Sequence, residues 1–234
     1  MNIHSIHLIG LEKYFLIIIK NFITNEDIKK SLQRKKLIAE RDTSDVWRQF
    51  AIWLLVDPDD GVIRFTKPDS KEHAAINHVA HLYAQNCEDR EIWEAAEAAA
   101  DAARDAAKVA EHAAYLDDDD AAYWTARRGH RAVSAASAAA LIVSIINNDH
   151  WPDKSRIMIN MINDAVAAVY EPSAAGASAH KQSMYALEYE DYSANAAAIK
   201  DWEAADSVRF NAPYKRIADK LLELLQSAPP KDAP

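Results

Sequence analysis

Glu94 to Trp124 reads EAAEAAADAARDAAKVAEHAAYLDDDDAAYW, and the way this run is folded decides the architecture. Alanine has the highest helix propensity of any residue, and from Ala95 to Ala140 it fills 21 of 46 positions. Between Pro68 and Pro152 there is no proline, and Gly129 is the only glycine. The run therefore predicts one helix from about Arg90 to Leu116 and a second from about Ala121 to Ile146. Asp117–Asp120 form the turn, where four carboxylates suit a helix N-terminus as caps and as partners for its dipole. Folded antiparallel, the two helices make a stiff hairpin about 40 Å long at 1.5 Å per residue.

Alanine has a packing role here. With Trp93 as position a, the heptad seam reads Trp93, Ala96, Ala100, Ala103, Ala107, Ala110, Ala114, and every charge from Glu94 to Glu111 falls off it. Small seam residues bring helix axes toward the short end of the usual 8–10 Å range. Positions g (Ala99, Ala106, Ala113) and c (Ala95, Ala102, Val109) are small as well, which predicts that the first helix touches more than one neighbour. The basic cluster Arg127-Arg128-Gly129-His130-Arg131 then falls beside Asp101, Asp105 and Glu111. It suits either an acidic ligand or, more simply, charge pairing between helices. Gly129 in mid-helix costs about 1 kcal/mol against alanine and predicts a close backbone approach.

Outward from the hairpin, Trp151-Pro152 opens a helix to about Tyr170, with proline tolerated in the first turn. PSAAGAS (Pro172–Ser178) is a loop. Helix resumes near Lys181 to Val208, with a break near Tyr192–Asn195, and a last amphipathic helix spans Pro213 to Leu225. Toward the N-terminus, Asp69 or Ser70 caps a helix to about Asn86. Val62–Phe65 is a short strand or an extended connector behind the turn DPDDG (Asp57–Gly61). Thr43 or Ser44 opens the helix Asp45–Val56, and Thr24 with Asp27 caps one to about Arg41 that carries Lys29 to Lys36. Ile6–Ile23 is apolar, but Glu12, Lys13 and Lys20 interrupt it well short of the roughly 20 residues that span a bilayer, so it reads as a buried helix.

The fold expected is all-α, a multi-helix bundle built around the Ala-rich hairpin. Residues 1–67 form a bulky aromatic subdomain, 68–226 an acidic Ala-rich bundle and 227–234 a disordered tail. The net charge is −9 and unevenly spread. Residues 1–67 carry 11 Lys/Arg against 9 Asp/Glu, about +2, and residues 68–234 carry 16 against 27, about −11. Such a body repels nucleic acid and anionic membrane and favours basic partners. The single Cys87 excludes an intramolecular disulfide and fits a reducing cytoplasm; it reads as a small core residue.

No phosphate-loop, dinucleotide, zinc-protease, serine-hydrolase or EF-hand pattern occurs. None of the nine histidines follows a glutamate at the spacing of di-iron bundles. His73, His78 and His81 are the densest group, but the offset from His73 to His78 divides them between helix faces. Two acidic surfaces stand out as partner-binding candidates. One is Tyr185, Glu188, Tyr189, Glu190, Asp191 and Tyr192, where tyrosines alternate with carboxylates at helical spacing. The other is the turn Asp117, Asp118, Asp119 and Asp120. The function expected is a non-enzymatic, cofactor-free binding module, an inhibitor or adaptor docking on a basic, nucleic-acid-handling protein in the manner of an anti-defence or immunity-type inhibitor. The alternatives are a metal-dependent helical-bundle enzyme with a scattered site around His78 and His81, and a self-assembling structural component.

Overall fold

In a computed structural model, the chain is described over residues 42, 45–117, 119–144, 154–169 and 213–230. Residues 1–168 with 218–234 form one compact unit and residues 169–217 a second, of which few residues are described. The described residues are mostly helical and contain no strand, as an all-α bundle requires. No described helix is long and apolar enough to cross a membrane. Ile6–Ile23, the Thr24–Arg41 helix and its basic stretch lie outside the described residues.

Helix α1 is Val46–Val56. It buries Val46, Trp47, Phe50, Ala51, Leu54 and Leu55, a stripe at helical spacing. Asp45 occupies its N-cap position without a capping hydrogen bond; its carboxylate instead takes the Arg48 guanidinium and, at 2.6 Å, the Gln49 amide. The chain then reverses at Asp57, whose carboxylate accepts from the backbone N–H groups of Asp59 at 3.0 Å and Asp60 at 2.9 Å. Gly61 closes this turn so tightly that a Cβ there would stand 2.4 Å from the Asp57 nitrogen.

Val62–Phe65 is a 3-10 helix, which replaces the strand or extended connector expected from its β-branched residues. Its hydrogen bonds are made locally: the Thr66 N–H and hydroxyl both donate to the Ile63 carbonyl, at 3.0 and 2.7 Å. A four-residue segment without a neighbouring strand takes the tight turn that satisfies its own carbonyls.

Helix α2, Lys71–Ala84, starts on Ser70, which accepts from the His73 N–H at 3.1 Å. It ends with Asn86 at φ 50°, the Asn86 N–H donating to Tyr83 and the Cys87 N–H to Leu82, both at 3.0 Å. That is the bond pattern by which a left-handed residue stops a helix.

Helices α3, Arg90–Leu116, and α4, Asp120–Ser144, are 27 and 25 residues long. Asp89 caps α3, accepting from Glu91 N–H at 2.9 Å, and Asp119 caps α4, accepting from Ala122 N–H at 2.9 Å. Cross-links from Glu97 to Ser144, Asp101 to Ser137 and Glu111 to Arg127 advance along α3 while retreating along α4, so the two run antiparallel. On α3 the buried seam is Trp93, Ala96, Ala100, Ala103 and Ala107. The heptad reading holds to there and fails beyond, since Ala110 is exposed and Ala114 only half-buried.

As expected, α3 meets more than one helix, α4 and α2, but not along its c and g positions: Ala95, Ala99, Ala102, Ala106, Val109 and Ala113 are all exposed. The stretch enclosed on all sides is the second half of α4. Residues 132–140 are buried without interruption, as in a helix packed around its whole circumference, and α1, α2, α3 and the 3-10 helix all touch it. Its buried hydroxyls are satisfied: Ser134 donates to the His130 carbonyl at 2.9 Å, Ser137 to Asp101 and Ser144 to Glu97. Trp93 fills the space near the start of α3, edge-on to Tyr83 at 4.9 Å, its indole N–H donating to the Cys87 carbonyl at 2.9 Å. Tyr83 in turn donates to the Ala139 carbonyl at 2.8 Å.

Helix α5, Lys154–Val169, buries Met161, Ile162, Ala165, Val166 and Ala168. Residues 213–227 are helical and bury Ile217, Leu221, Leu224 and Leu225. The start of the segment read as a disordered tail is packed: Ala228 is buried, and the Pro229 carbonyl accepts from the Asp42 N–H at 2.7 Å.

The two described glycines in this frame respond oppositely to alanine. At Gly129 the nearest atom to an added Cβ is the Phe65 carbonyl oxygen at 3.6 Å, an ordinary contact, so the expected close approach leaves room for a methyl group. Gly129→Ala is expected to raise the unfolding free energy by about 0.5–1 kcal/mol. Gly61→Ala is expected to lower it by about 1–3 kcal/mol through forced backbone displacement. Chemical denaturation of the two variants against the parent checks both signs.

Candidate protein-binding site

The turn between α3 and α4 carries the one acidic candidate surface that falls among the described residues. Its backbone is closed by Asp117 N–H donating to Ala113 at 3.0 Å, Asp119 N–H to Ala114 at 3.2 Å and Tyr123 N–H to Asp119 at 2.8 Å. Asp117, Asp119 and Asp120 are exposed. Asp119 has the capping duty noted above, so its carboxylate is oriented by α4. Asp118 lies outside the described residues, as do Tyr185, Glu188, Tyr189, Glu190, Asp191 and Tyr192.

Under this acidic rim lies an aromatic layer that composition alone did not single out. Tyr115 and Tyr123 have ring centroids 6.2 Å apart, and Tyr123 meets Trp124 edge-on at 5.1 Å. Tyr115 and Trp124 remain partly exposed. The signal was present in the sequence as three aromatics flanking the aspartate run within ten residues. The Arg127 guanidinium lies 5.7 Å from the Tyr123 ring and 5.6 Å from that of Trp124, donates to the Tyr123 hydroxyl at 2.5 Å and reaches Glu111 at 3.4 Å. One arginine thus ties the aromatic layer to α3, which holds the rim on a fixed support.

The basic cluster behind it is resolved into separate pairings. Glu111 takes Arg127 and, at 2.7 Å, the Nδ1 of His130. Arg131 pairs instead with Asp164 of α5 at 2.9 Å. Arg128 lies 5.7 Å from the Phe65 ring. Asp101 takes Ser137 and Arg104, and Asp105 sits 3.6 Å from Arg104 on its own helix. Interhelical pairing accounts for Arg127, His130 and Arg131: the first two brace the hairpin through Glu111, and Arg131 ties α4 to α5.

The carboxyls in this network shift in opposite directions. Burial pushes Glu111 up, but the hydrogen bond from His130 and the charges of Arg127, His130 and Arg131 outweigh it and hold the group below its ordinary range. Burial raises Asp164, and the charge and hydrogen bond of Arg131 only partly offset it. Burial also raises Glu97, with the Ser144 hydroxyl countering and Asp101 and Glu94 adding to the rise.

His78 and His81 are exposed on α2, and His73 is 3.1 Å from the Thr66 hydroxyl. Among the described residues no three His, Cys, Asp or Glu side chains converge as a metal site would need. Compared with protein families, curated proteins and solved structures, the chain matches none.

A carboxylate held below its ordinary range stabilises the fold at neutral pH and loses that contribution as pH falls through its folded value; one pushed above it does the reverse. Glu111→Gln is therefore expected to destabilise the protein at neutral pH by about 1–3 kcal/mol. Glu97→Gln is expected to be neutral or stabilising there, since it removes a disfavoured charge. The Glu97 difference closes first as pH falls, since that carboxyl protonates above the ordinary range, and the Glu111 difference is lost only as pH passes below that range, under about pH 4. Denaturant titrations from neutral to acid pH check this order.

Proposed function

We propose that this chain is a non-enzymatic, acidic protein-binding module, an inhibitor or adaptor acting in the cytoplasm. Its partner is a basic protein, of the kind that handles nucleic acid, whose Arg and Lys sites it occupies. The observation that carries this is the hairpin turn: exposed Asp117, Asp119 and Asp120 stand over the partly exposed aromatics Tyr115 and Trp124, and Arg127 holds that layer in place. Carboxylates beside aromatic faces match both parts of an arginine, its charge and its planar stacking surface. Placing them on a rigid support limits the ordering cost of binding. The excess of 27 acidic over 16 basic residues across 68–234 would draw a basic partner in and turn nucleic acid away.

The test is affinity capture from a bacterial lysate with and without nuclease, using the parent chain beside a variant carrying Asp117→Lys and Asp120→Lys. Asp119 is kept so that α4 retains its cap. A basic protein retained after nuclease treatment, released by rising salt and lost from the double variant, is the expected result. Capture that the reversals leave unchanged would remove the turn as the contact. The same comparison with Glu188, Glu190 and Asp191 reversed to lysine tests the second acidic surface.

A further inference from the structure

We draw no further inference here: the strongest candidate, the exposed stripe of alanines and larger aliphatic residues on the face of α3 turned away from α4, with Ile92, Val109 and Leu116 along it, is an apolar helix face, and nothing in the structure shows what covers it.

Discussion

The closeness of α3 and α4 is the constraint from which the other packing follows. Alanines at 96, 100, 103 and 107 leave almost no side chain between the two backbones, so the axes can approach near the lower limit of helix packing. At that spacing the polar groups along the edges come within reach of each other: Glu97 of Ser144, Asp101 of Ser137, Glu111 of Arg127 and His130. Leucines on the seam would hold the helices apart and leave these short side chains unpaired. Apolar contact and polar cross-linking are thus two results of one choice of residue size.

Bulk is supplied elsewhere. Phe50, Leu54 and Leu55 of α1 and Ile76 and Val79 of α2 are among the largest fully buried side chains, and they lie on helices that flank the hairpin. α4 is the element they share, since α1, α2, α3 and the 3-10 helix all meet it. The protein therefore combines a thin, tightly spaced pair with a conventional hydrophobic layer. Trp93, packed on Tyr83, joins the two.

The fold class was legible because its signal is local. Propensity, the absence of breakers and two sets of caps placed α3 and α4 to within a few residues, and Arg90–Leu116 as observed coincides with the segment read from the sequence. Which alanines are covered was less legible. The a/d, c and g positions of α3 are nearly identical in composition, and only the presence of α4 and α2 on one side distinguishes them. Val62–Phe65 misled for a related reason: β-branched residues suit a strand only where another strand is available to pair. At the site, the aspartates were visible as a run, while the aromatic layer under them depended on a turn that brings Tyr115 back to Tyr123. Arg131 was expected to stay within the hairpin and reached Asp164 instead, a choice fixed by a helix whose position no local pattern encodes.

The alanine seam also has a thermal consequence. Heat capacity on unfolding is set mainly by the apolar surface newly exposed to water, and a methyl group exposes far less than an isobutyl. The hairpin therefore contributes less curvature to the stability of the whole than a leucine-filled pair of equal length would. Its hold rests more on helix propensity and edge hydrogen bonds, whose temperature dependence differs from that of apolar hydration. Cooling accordingly weakens the bulky α1–α2 layer proportionately more than it weakens the hairpin.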